Sequence, residues 1–83
     1  MFRAKVKVML KRSIADPEGA AMDLAFENLG LLSMQNARVG KCIEFDVGVE
    51  NREEAEKQVD AVCVRLLANS AIEAYEFSLE MLK

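Results

Sequence analysis

Residues 2–11 read FRAKVKVMLK, and the fold turns on what lies beside them. Phe2, Ala4, Val6, Val8 and Leu10 share one parity; Arg3, Lys5, Lys7 and Lys11 share the other, with Met9 the exception. Period-two alternation of this kind predicts a half-buried strand with a basic outer face. Two later stretches carry the opposite charge. In CIEFDVGVE (42–50), Ile43, Phe45, Val47 and Val49 alternate with Cys42, Glu44, Asp46 and Glu50. In IEAYEFSLEML (72–82), Tyr75, Phe77, Leu79 and Met81 alternate with Glu76, Ser78 and Glu80. A central first strand sets Lys5 and Lys7 between Glu44 and Asp46 on one flank and Glu76 and Glu80 on the other. Opposite charges on paired strands contribute roughly 0.2–1 kcal/mol each, whereas like charges there destabilise.

Two helices separate these strands. In DPEGAAMDLAFENLG, Asp16 is the N-cap, Pro17 the first helical residue and Gly30 the left-handed C′ residue, with Met22, Ala25, Phe26 and Leu29 as the apolar stripe. Gly19 in the first turn weakens this helix by roughly 1 kcal/mol relative to Ala, unless something packs close to it. NREEAEKQVDAVCVRLLAN (51–69) begins with an Asn51–Glu54 capping box and ends on Asn69 as C-cap. Ala55, Val59, Val62, Cys63 and Leu66 face inwards, and Glu53 and Lys57 pair on the wet side. Between the helices, residues 32–39 read as a short strand broken at Gly40, where a turn, bend or bulge is expected. The order is then β-α-β-β-α-β: one α+β domain over residues 1–83, an antiparallel sheet with both helices on one face, ferredoxin-like in plan.

Composition narrows the function. The 83 residues are 52% hydrophobic, more apolar surface than one small core absorbs, which favours self-association or a partner. The net charge of −3 argues against nucleic-acid binding. There is no histidine, so the commonest general base and metal ligand is missing. Cys42 and Cys63 lack metal-ligand spacing and read as reduced thiols, Cys63 in the core. The N-terminus has no signal-peptide core and no stretch has transmembrane length, so no membrane role is expected and the cytoplasm is the expected location. RVGK (38–41) has one glycine, lacks a GKS or GKT ending and precedes a strand, so it is no P-loop. No residue is assigned to catalysis, cofactor or metal.

The motifs in order resemble a known family. DPEGAA (16–21), a helix ending in NLG (28–30), ARVGKCIEF (37–45) and LLANSAIEAYEF (66–77) are similar to PurS, the small accessory subunit of the multi-protein phosphoribosylformylglycinamidine (FGAM) synthase of purine biosynthesis. The resemblance runs from about Phe2 to Phe77, with two departures: Arg12 and Ser13 stand where the family usually has Pro-Gly, and Ser70 where it has proline. It implies a homodimer or tetramer without cofactor that bridges a glutaminase subunit and a large ATP-dependent synthetase subunit and helps ammonia pass between them. Arg38, Gly40, Lys41, Glu44, Asn69 and Tyr75 are the interface residues it points to, with Gly40 bending the backbone and the two cations reaching the partner. The competing expectation is an ACT-type dimer that binds an amino acid at its helix–strand loops.

Overall fold

The computed structural model describes residues 1–82. Three strands, β1 (Phe2–Leu10), β2 (Gly40–Val47) and β3 (Glu73–Met81), form an antiparallel sheet in the order β2-β1-β3. The basic strand is therefore central, as its acidic neighbours require. Its pairing is unbroken on both flanks, from Phe2↔Val47 to Met9↔Gly40 and from Phe2↔Met81 to Leu10↔Glu73. Arg3 takes most of the charge contact: its Nε donates to Asp46 at 3.0 Å and lies 4.0 Å from Glu44. Lys7 reaches Glu76 at 3.5 Å, whereas Lys5 is set opposite Glu44 and Ser78.

Helix α2 (Arg52–Val62) lies on the apolar face. Ala55, Val59 and Cys63 are buried with Phe2, Ala4, Val6, Val8, Val47 and Ala68, flanked by the half-buried Ile43, Phe45, Phe77 and Leu79. Asn51 caps the helix by accepting the Glu54 N–H at 3.0 Å, but the capping box is half made: the Glu54 carboxylate takes the Gln58 amide instead. The Glu53–Lys57 pair does not close within 4.0 Å; ion pairs among the described residues fall elsewhere. The helix closes in a π-helical turn, Cys63–Leu67, in which Ala68 N–H donates to the Cys63 carbonyl at 2.9 Å. The wide turn shifts the phase of the side chains. Leu67 and Ala68 pack inwards, and Leu66, expected in the core, is 76% exposed. Asn69 follows the helical turns instead of capping them. Its carbonyl accepts the Ile72 and Glu73 N–H groups and its side chain accepts from Ala71, so it folds the turn into β3.

Helix α1 (Pro17–Asn28) departs from the expected plan. It ends as the sequence predicts, with Gly30 at φ +78°, Leu31 N–H on the Phe26 carbonyl (2.9 Å) and Gly30 N–H on the Glu27 carbonyl (3.0 Å). Yet Gly19 is its one buried residue; the stripe of Met22, Ala25 and Leu29 faces solvent and α1 lays no face on the sheet. Residues 32–39 are not a strand. Asn36 adopts φ +60°, a left-handed break that asparagine tolerates, and the segment returns along α1 without sheet partners. The element order is thus β-α-β-α-β, with α1 and its return segment forming an arm. Its effect on dimensions is large. The radius of gyration is 16.3 Å, where a compact chain of this length has about 12 Å. The longest extent, 49 Å, is close to a nine-residue strand (about 30 Å) and a twelve-residue helix (about 18 Å) end to end. Among the described residues, no helix is long and apolar enough to cross a membrane.

Candidate functional site

The arm leaves the sheet at the Leu10 end of β1, through a junction built on Asp16. Its side chain is 5% exposed and uses both oxygens. Oδ1 accepts the Gly19 N–H at 2.9 Å, which caps α1, and Oδ2 accepts the Val39 N–H at 2.9 Å, which closes the far end of the arm onto its start. The Arg38 Nε lies 3.8 Å from Oδ2. The two backbone donors, Val39 first, hold the Asp16 carboxyl below its ordinary pKa, with Arg38 adding a smaller electrostatic pull. Halfway along the helix Asp23 accepts the Ala37 N–H at 2.9 Å, a second tie across the arm.

Gly19 is part of the same closure. A Cβ there would fall inside the Ala37 carbonyl, so the helix gives up propensity to let the return segment approach. Gly40 follows the same logic. It has an ordinary φ and begins β2 in register with Met9, so the expected bend or bulge is absent; what requires glycine is the nearness of the Val8 carbonyl and Met9 side chain.

Arg38 points inwards. Its Nη2 donates to the carbonyls of Lys11 (3.0 Å), Ile14 (3.1 Å) and Leu10 (3.4 Å), so the guanidinium ties the loop after β1 to the arm. The expectation of a cation stretched out to a partner is corrected for this residue: the loop turns its carbonyls inwards, and the Nη2 amino group meets them while Nε faces Asp16. Lys41 is exposed, faces the helix side of the sheet across from Val8, and lines a cavity of about 340 Å³ with Asp16, Pro17 and Glu73. Tyr75 flanks Val8 on the other side and donates its hydroxyl to Asp60 at 2.5 Å, which raises its pKa, with burial adding to the rise. Asn69 sits at the same end, through the turn that leads to Glu73 opposite Leu10.

The fold therefore gathers Arg38, Gly40, Lys41, Asn69 and Tyr75 at one end of the sheet and sets Glu44 apart, opposite Lys5 on the outer face. The second oxygen of Asp16, the Asp23 clamp and Asp60 beneath Tyr75 escape sequence reasoning, because each meets a group 14 to 23 positions away. The DP pair is the one visible signal, and it announces only the cap.

A small α+β chain whose arm and helix end leave large apolar groups in water has surface suited to contact with another chain. The chain belongs to the PurS family, described as phosphoribosylformylglycinamidine (FGAM) synthase, whose model matches residues 3–81. It is 35% identical over 80 residues to the phosphoribosylformylglycinamidine synthase subunit PurS of Bacillus subtilis, covering 96% of this chain and 94% of that one. The crystal structure of Methanocaldococcus jannaschii PurS superposes with a TM-score of 0.89 at 31% identity over the whole of both chains; that protein is one of the subunits of formylglycinamide ribonucleotide amidotransferase in the purine biosynthetic pathway. A chain in the structure of PurLQS from Thermotoga maritima superposes with a TM-score of 0.87 at 29% identity, covering 95% of this chain and 96% of that one.

Proposed function

We propose that this chain is the non-catalytic small subunit of an FGAM synthase in purine biosynthesis, a single domain over residues 1–83 that works in the cytoplasm. The large synthetase subunit activates the amide of the ribonucleotide with ATP, the glutaminase subunit releases ammonia, and this chain, self-associated as a homodimer or tetramer, holds the two together. Its contribution is positioning and exclusion of water, which retain a reactive small molecule between sites. The observation that carries the reading is the family match over nearly the whole chain, at near-equal length to the relatives and to the chain of the T. maritima PurLQS structure. An amino-acid-binding ACT-type dimer is not favoured by that match.

In this reading the contact end is the one where Lys41, Tyr75 and the Asn69 turn converge, with Arg38 and Gly40 shaping it from within and Glu44 presenting the outer sheet face. Assembly tests it. The chain mixed with its own organism's glutaminase and synthetase co-elutes with both on size exclusion in the presence of substrates. Elution of the two enzymes as a complex that leaves this chain behind would contradict the reading.

A further inference from the structure

The Leu10 end of the sheet collects cations in a chain whose net charge is −3. Lys11 and Arg12 follow β1, Lys41 is the second residue of β2, and Arg65 lies on the π-helical turn. That turn belongs to the same end. The Arg52 guanidinium, where α2 starts, lies 5.2 Å from the centre of the Phe2 ring, and Asp60, where α2 finishes, receives the hydroxyl of Tyr75, opposite Val8. All four cations are exposed, and none forms an ion pair within 4.0 Å among the described residues. The nearby carboxylates are engaged within the chain: Asp16 by two backbone donors, Asp60 by Tyr75, and Glu73 by the Asn69 N–H at 2.7 Å.

Apolar groups stand among these cations. Val64 is 54% exposed, Leu66 76% and Ile72 39%. Ile72 is tied to the charged loop, since its carbonyl accepts the Lys11 N–H at 2.8 Å. Glu73 joins the same turn to the cavity that Lys41 borders. Arg65 stands between Val64 and Leu66 in the chain, so a partner that buries the two apolar side chains also meets a guanidinium. Burying that charge is unfavourable unless a carboxylate pairs with it. A two-fold contact of this end with itself would set the cations of one copy against those of the other, so the surface does not close on its own image.

We propose that the Val64–Leu66 projection is the anchor by which this chain holds an enzyme subunit, seated there in an apolar recess rimmed by Asp or Glu side chains. The π turn makes the anchor: it sends Leu67 and Ala68 inwards and leaves Leu66 outside, where a regular helix would have buried it. Val64 and Leu66 supply the desolvated contact that carries affinity, while Lys11, Arg12 and Lys41 at the margin steer the encounter and select an acidic partner. The proposal rests on the accessory role stated above and deepens it by naming the anchor and the chemistry of the surface that receives it.

Biolayer interferometry tests it, with the chain tethered through its N-terminus and its own organism's glutaminase and synthetase in solution with substrates. Leu66→Asp and Arg65→Glu, both at exposed positions, each weaken binding by about tenfold or more. Leu66→Ala, which adds no charge, shows a smaller loss in the same direction. Added salt weakens the wild type more steeply than it weakens Arg65→Glu. Arg52→Glu makes the same charge change at the other end of α2 and binds like the wild type. Circular dichroism and sedimentation equilibrium find every variant folded and self-associating as the wild type does. A wild-type chain that binds neither enzyme would overturn the accessory role itself. Wild-type binding that Leu66→Asp and Arg65→Glu leave within about twofold, or that Arg52→Glu weakens equally, would overturn the anchor alone. Loss of self-association in Leu66→Asp and Arg65→Glu would assign the surface to a contact between copies and overturn it as well.

Discussion

Asp16 and Val39 are 23 positions apart in sequence, and a carboxylate oxygen of the first accepts the backbone N–H of the second at 2.9 Å. That bond closes the arm, and its strength depends on the charge of the carboxylate. Because folding lowers the Asp16 pKa below the value of about 3.9 it has in an unfolded chain, the stability it contributes is fully present above that pH and is lost as pH falls through the lower folded value. Thermal melts from pH 6 to pH 2.5 therefore show a fall in Tm below about pH 4 that is shallower in Asp16→Asn. Parallel curves for the two proteins would show that the carboxylate adds nothing.

Gly19→Ala reverses an ordinary rule. Inside a helix that change usually stabilises by about 1 kcal/mol. Here the new Cβ meets the Ala37 carbonyl, so either the arm opens or α1 shifts, and the variant melts below wild type. A higher Tm would mean that the return segment does not lie against the first turn.

Arg38 and Lys41 separate by role. Arg38→Ala removes the donor for three loop carbonyls and costs about 1–3 kcal/mol of stability, read by urea denaturation. Lys41→Ala leaves stability within about 0.5 kcal/mol, because the side chain is exposed, and weakens binding to the enzyme subunits instead. Equal losses of stability in both variants would contradict this division.

The strands and caps were legible because their signals are local. Alternation placed Phe2, Val6 and Val8 in the core, acidic flanks made the basic strand central, and Asp16, Asn51 and Gly30 marked helix ends that the structure keeps. The misreadings share a cause as well. Leu31, Leu32 and Met34 suggest a strand and Met22 and Leu29 a buried stripe, since an apolar pattern marks a face for burial without saying that this chain's own sheet covers it. A 3.6-residue period puts Leu66 in the core, and the π turn interrupts that period. Arg38 reads as an outward cation because nothing local reveals the carbonyls of Lys11 and Ile14, folded back from 24 to 27 positions away.

Tyr75 is the sole tyrosine, and the chain has no tryptophan, so absorbance near 295 nm reports its ionisation alone. The Asp60 carboxylate accepts the phenol's hydrogen bond and opposes a second negative charge, so the midpoint lies above the ordinary value of about 10. The stability this bond contributes is fully present below that pH and is lost as pH rises through the folded value. Asp60→Asn brings the midpoint back towards 10. An unchanged midpoint in the variant would show that the hydrogen bond is not formed in solution.

Glutamine-fed turnover puts the accessory role to the most direct test. With synthetase and glutaminase held fixed, FGAM formation is measured with glutamine and with ammonium as nitrogen source, each with and without this chain. The account predicts that omission abolishes most of the glutamine-dependent rate and leaves the ammonium-dependent rate of the synthetase largely intact, while the chain alone turns over nothing. Full glutamine-dependent activity in its absence would contradict the account.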